Sequence, residues 1–143
     1  MSKKPKKTQL PRESQSGICP TEIKSRQGIS FSFKYYDAGH DKFSCNGKDG
    51  LYWQTLVNRL RDISGLTALQ LRQGSNKTLR CHPIDWAKTS ESSFGLKDEE
   101  QLVDIPYQFS LSSNEHGRVH GFIIDEVFYI VWLDPHHLLY PAK

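Results

Sequence analysis

The sequence predicts a single α+β domain, and three stretches carry that prediction. Residues 127–133 (VFYIVWL) form the one long apolar run, rich in Val, Ile and aromatics as a strand covered on both faces would be. Residues 105–112 alternate, with Ile105, Tyr107, Phe109 and Leu111 against Pro106, Gln108, Ser110 and Ser112, the period of a half-buried strand. Residues 50–64 instead repeat with a helical period, Trp53, Leu56, Val57, Leu60 and Ile63 falling on one stripe.

In chain order, Ile29, Phe31, Phe33 and Tyr35 alternate with polar neighbours and predict a first strand, broken by 36–41 and a loop with Asn46-Gly47 and Asp49-Gly50 turns. The helix over 50–64 follows, with Gly65 as its stop. Thr67 is the expected cap of a second, shorter helix over 68–73. Between 74 and 104 the pattern is weaker. Residues 79–86 read as an extended segment that docks Ile84 and Trp86, 89–94 as a Ser/Thr-rich loop, and 97–100 as a helical turn. Three strands then close the chain as a meander. They are 105–112, 118–124 after a polar turn, and 127–133, which Asp134-Pro135 ends because proline cannot donate to a ladder. The expected order is β-α-α-β-β-β, with the N-terminal strand and the meander in one antiparallel sheet packed on two helices.

Net charge is +3, but it is unevenly spread. Residues 1–27 hold seven Lys/Arg against Glu13 and Glu22, leaving 12 basic and 14 acidic side chains in the rest. The reading is a flexible basic N-terminal tail (1–27) in front of one domain (28–143). It lacks the apolar core of a secretory signal, and no segment is long and apolar enough for a bilayer span, so the expectation is a cytoplasmic protein without membrane contact. The basic tail is either a solubilising leader or an arm that touches a polyanion. Three cysteines (Cys19, Cys45, Cys81) at unpatterned spacing point to free thiols rather than a disulfide or zinc framework.

The chemistry-bearing side chains concentrate late in the chain. His116, Arg118, His120, His136 and His137 lie within 22 residues. Period 2 puts Arg118 and His120 on one strand face, with His116 in the same parity, opposite Gln108, Ser110 and Ser112, as an outward polar surface. A guanidinium can hold a phosphate while imidazoles move protons near neutral pH, a sufficient kit for phosphodiester cleavage without a metal or other cofactor. His137 adds an acid/base group and Tyr140 a phenol. The competing use, zinc held by His116 and His120, is disfavoured because residues four apart on a strand are about 13 Å apart. Arg72, Lys77 and Arg80 form a small basic cluster, which reads most simply as a solvated face.

The pair Gly117-Arg118-Val119-His120-Gly121-Phe122 and Val127-Phe128-Tyr129-Ile130-Val131-Trp132, with the order of elements, resembles the RelE/ParE-like toxin superfamily, which includes ribosome-dependent messenger RNA endonucleases. The likeness covers 29–73 and 105–140. Ile130 stands where that family commonly has a basic residue, and 74–104 is an insertion. The resemblance implies Arg118 as the phosphate-stabilising cation and His120 or His137 as the proton-transfer group; His116 and Tyr140 complete the candidate catalytic set on the residue reading alone. It further implies RNA contacts from the tail (Lys3, Lys4, Lys6, Lys7) and from Arg59 and Arg61, RNA on the ribosome as substrate, and an antitoxin protein as partner; Arg72 and Arg80 of the basic cluster are further candidate nucleic-acid contacts. The other reading is a non-catalytic protein- or nucleic-acid-binding module of a phage or mobile element, in which the same face binds and nothing is cleaved.

Overall fold

The computed structural model describes residues 28–74, 77–112 and 115–141. Its architecture is α+β. Five strands, β1 (Ser30–Ser32), β2 (His82–Pro83), β3 (Pro106–Ser110), β4 (Arg118–Ile124) and β5 (Val127–Asp134), make one sheet in the order β1-β5-β4-β3-β2. Three α-helices accompany it: α1 (Gly50–Ile63), α2 (Ala68–Arg72) and α3 (Glu99–Leu102), with a 3₁₀ turn at Trp86–Lys88. The meander β3-β4-β5 is as expected, and β5 stops at Asp134.

The sheet is mixed rather than antiparallel, because β1 runs parallel to β5, pairing Ser30 with Val127 and Ser32 with Tyr129. Hairpins dictate antiparallel neighbours only for strands joined by short turns. Between β1 and β5 lie the helices and every other strand, so no turn sets their direction. The first strand is also short. The chain leaves it at Phe33, turns through the Tyr36 N–H to Phe33 carbonyl bond (3.0 Å), and rejoins β5 where Asp37 N–H meets the Val131 carbonyl (2.9 Å). Phe33 is therefore exposed, and Tyr35 crosses to the other side of the sheet to pack on Phe122 and Tyr129. Strand β2 has no counterpart among the expected strands. It adds His82-Pro83 to the edge beside β3, where a proline leaves no interior ladder bond unmade.

One sheet face packs on α1 and α2. Tyr52, Leu56, Ile63, Ala68 and Leu71 meet Phe109, Val119, Phe128 and Ile130 in the larger core. Leu56, Leu60 and Ile63 of the expected stripe face this core, but Trp53 and Val57 are exposed while Tyr52 is fully buried. The buried face runs through 52, 56, 59, 60 and 63, and so contains Arg59. The arginine buries its stem and donates Nε–H to the Leu111 carbonyl at 3.1 Å. Asp49 caps α1 by accepting from Tyr52 N–H, and Thr67 with Gln70 forms the capping box of α2.

The opposite face carries no helix layer of its own. Chain segments 37–45, 84–103 and 135–140 cover it, setting Phe43, Ile84, Phe94 and Leu139 against Phe122, Val131 and Trp132. Ile84 is buried and Trp86 half-buried there, as the extended segment predicts. Strand β5 is thus covered on both sides, which accounts for its unbroken apolar run. An irregularity at His120/Gly121 lets His120 face Trp132 while Gly121 faces Ile130. No side chain fits at 121, since a Cβ there would lie 2.0 Å from the Tyr129 carbonyl oxygen. No helix among the described residues is long and apolar enough to cross a membrane.

Candidate active site

The second face is not an outward polar surface. Across it runs a rung of His82, Gln108, His120 and Trp132, next to a rung of Ser110, Arg118 and Asp134. Gln108, Ser110, His120 and Asp134 are all buried. What remains open is a cavity of about 400 Å³ at the β2 side and beyond the end of β5, lined by His82, Gln108, Arg118, Asp134, His137 and Tyr140.

The chain after β5 is shaped by Asp134. Its Oδ1 accepts from Leu138 N–H at 2.8 Å and its Oδ2 from Leu139 N–H at 3.0 Å, while His120 Nε2 lies 3.1 Å from Oδ2. Two backbone donors and one imidazole therefore converge on one carboxylate. The turn puts His137 in the left-handed region (φ 57°) and drives Leu139 into the core. Gly117 (φ 75°) lies so close beneath this turn that a Cβ would sit 1.9 Å from the Asp134 carbonyl oxygen.

Burial drives the His120 pKa below its ordinary value of 6.5, against the opposing pull of Asp134. For Asp134, burial is the largest influence and pushes its pKa up. The hydrogen bond and charge of His120, with the Leu138 and Leu139 N–H groups, outweigh it, and the pKa ends below 3.8. The pair is accordingly a neutral His120 donating Nε2–H to an ionised Asp134. Because the unfolded chain takes up a proton near pH 6.5 that folded His120 refuses, stability should be full above that pH. It should fall by up to about 1.4 kcal/mol per pH unit below it. The His137 pKa is lowered too and adds loss in the same direction; Asp134 adds its own only at still lower pH. Urea midpoints at pH 7.5 and 5.5 check this, and equal midpoints would contradict a neutral buried His120.

Arg118 is half-buried at the cavity wall and makes no ion pair among the described residues. Its guanidinium donates Nη1–H to the Gly117 carbonyl at 3.3 Å. Burial and the neighbouring Arg80 charge both disfavour its cationic form, and Asp134 only partly offsets them. A guanidinium in that position is short of an anion. His137 has its pKa lowered by burial first and then by Arg118, so at neutral pH its ring is an unprotonated base. The Tyr140 hydroxyl accepts from Asp85 N–H at 2.9 Å, which leaves its own hydrogen free to be donated elsewhere. His82 is held at both nitrogens. Nδ1 faces the Pro83 carbonyl (2.8 Å), which can only accept, so Nε2 of the neutral ring accepts from the Gln108 amide (2.9 Å).

Of the side chains expected from sequence, Arg118, His137 and Tyr140 meet in this cavity. His120 does not line it; it is fully buried one layer beneath, on Asp134. His116 departs from its expected parity. A left-handed turn (φ 65°) sends it to the helix side, its ring 6.2 Å from that of Tyr52. Among the basic residues, Arg59 is committed to Leu111, and Arg61 is exposed beside Asp62. Arg72 lines a separate cavity with Asp104 and Tyr107, and Arg80 alone stands near Arg118. Lys3, Lys4, Lys6, Lys7 and Cys19 lie outside the described residues. Three lining residues are not among those the sequence marks as site residues: His82, Gln108 and Asp134. Their signals are a histidine inside an otherwise core-docking segment, a glutamine in a buried strand and an aspartate before proline at a strand end. Among the described residues, no group of three or more His, Cys, Asp or Glu is placed to hold a metal ion. Comparison with protein-family models, curated proteins and solved structures finds no match.

Proposed function

We propose that the protein is a small endoribonuclease of the RelE-like toxin type, cleaving RNA by metal-independent acid/base chemistry in the cavity at the end of β5. The observation that carries this reading is Arg118, a half-buried cation without an ion-pair partner among the described residues, beside a neutral imidazole and a phenol. In the proposed reaction His137 takes the proton of a ribose 2′-hydroxyl, and the 2′-oxygen attacks the adjacent phosphorus. Arg118 balances the charge that builds on the non-bridging oxygens. Tyr140 gives its proton to the departing 5′-oxygen, leaving a 2′,3′-cyclic phosphate and a free 5′-hydroxyl. An antitoxin protein that covers the cavity, and RNA presented on the ribosome, belong to the same proposal.

Incubating the full chain with RNA in the presence of a chelator tests it. Fragments ending in 2′,3′-cyclic phosphate are expected, with kcat/KM falling as pH drops through the lowered His137 value, because the base must be unprotonated. His137→Ala should reduce the rate about 10²–10⁴-fold. Intact RNA, free or with ribosomes, would remove the nuclease reading. A non-catalytic binding module would then be favoured by one specific observation: the large apolar side chains Leu51, Trp53, Val57 and Leu69 of α1 and α2 are exposed.

A further inference from the structure

We infer that Asp134 is the positioning residue for His137, folding the chain after β5 so that the imidazole stands in the cavity beside Arg118; this role in catalysis rests on the nuclease reading. The geometry has three parts. The carboxylate is fixed from below by buried His120 at 3.1 Å, so it cannot swing away with the turn. It gathers Leu138 and Leu139 N–H at 2.8 and 3.0 Å, one to each oxygen, closing a loop of the chain around His137. Between these anchors His137 occupies a left-handed backbone conformation, which a non-glycine residue holds only where its surroundings over-determine it.

The carboxylate also faces the imidazole as a charge. The groups around His137 are Arg118 on β4, Asp134 on β5 and His136 beside it in the chain. His82 from β2 and Tyr140 line the same cavity. Of these, Asp134 alone carries negative charge, and it is the group that favours a proton on His137 against burial and Arg118. Positioning and charge are therefore partly separable by substitution. Asp134→Asn removes the charge and keeps an oxygen for the Leu138 N–H, but the amide nitrogen that replaces Oδ2 cannot accept from the Leu139 N–H, so one of the two anchors is lost. Asp134→Ala removes both, freeing the turn to carry His137 into water.

The two changes move the His137 titration in opposite directions. In the full chain, with ring signals followed by NMR and assigned through His137→Gln, the midpoint should fall in Asp134→Asn. It should rise toward the ordinary histidine value in Asp134→Ala. In the cleavage assay, kcat/KM should drop about 100-fold for Asp134→Ala, the scale of a catalytic group displaced by about 1 Å. The acidic limb of the Asp134→Asn profile should move down with its midpoint. A midpoint unchanged in Asp134→Asn would overturn the assignment, and that result is decisive even if the alanine variant does not fold; a midpoint raised there would mean that the Leu139 bond is needed to hold the turn. Should the midpoints move as expected while no RNA is cut, the nuclease reading fails and the placement of His137 by Asp134 stands.

Discussion

Replacing Trp132 by alanine is expected to cost about 3–5 kcal/mol of stability, a shift of roughly 10–15 °C in melting temperature for a chain of this size. The indole is 1% exposed and occupies the centre of the second core. It stacks on Phe43 with ring centroids 4.4 Å apart and meets Phe94 at 5.0 Å, His40 at 5.1 Å and Trp86 at 6.1 Å. Those partners come from segments 37–45 and 84–103, which have almost no regular structure to hold them down. Removing the ring leaves a void that these aromatics cannot all collapse into, because each approaches from a different direction. Trp132→Phe should lose less. It keeps an aromatic ring but drops the Nε1–H donated to Asp37 at 3.4 Å, a long and weak bond. Urea unfolding of both variants at pH 7.5, with thermal melts alongside, measures the difference. An alanine variant melting within a few degrees of the parent would mean that the loops do not depend on this contact.

That second core is also where sequence patterning runs out. The meander is legible because its strands alternate and its ends carry turn residues, and the α2 cap is legible because Thr67 stands immediately before an apolar turn. The covering of the other face is not. Phe43, Phe94 and Leu139 come from segments without period 2 or 3.6, so nothing in their spacing assigns them a side. With that cover unseen, Gln108, Ser110 and His120 read as solvent-facing, and burial reverses the meaning of the whole row. The α1 stripe, right at Leu56, Leu60 and Ile63, misses at its flank for a different reason. A pattern that counts only apolar residues takes Trp53 and Val57 over the side that holds Arg59, although an arginine with a buried stem and a carbonyl partner fits there.

The candidate site is half legible for related reasons. Arg118, His137 and Tyr140 are chemically conspicuous and late in the chain, and the structure brings them to one cavity. His82 converges with them only because two residues pair with β3 at the sheet edge, a strand too short to leave a periodic signal. Asp134 stands out in the sequence as a terminator of β5 but not as an organiser. An Asp-Pro pair specifies where a strand ends and says nothing of which donors fold back onto the carboxylate. His116 and His120 show how little parity settles near turns. One left-handed residue sends the first to the helix side, and the second keeps its face but loses its solvent.

Arg118→Ala is expected to lower RNA cleavage about 10²–10³-fold while leaving the fold nearly as stable as the parent. The two halves of that expectation have the same origin. In the folded protein the guanidinium is partly stripped of water and pushed by Arg80, with one long hydrogen bond to Gly117 in return. The Asp134 carboxylate nearby is already occupied by His120, Leu138 and Leu139. Removing the arginine therefore costs little, about 1 kcal/mol or less. A phosphate changes this balance, because it supplies the missing anion and gains charge as the phosphorus is attacked. The interaction is strongest where the reaction needs it. The effect should appear in kcat more than in KM. Arg118→Lys should recover only part of the rate, since an ammonium keeps the charge but not the planar fork that grips two oxygens. A full-rate Arg118→Ala enzyme would move the phosphate away from this cavity. An inactive but equally stable variant, with Lys between it and the parent, would be the behaviour of an arginine whose proper partner is the substrate.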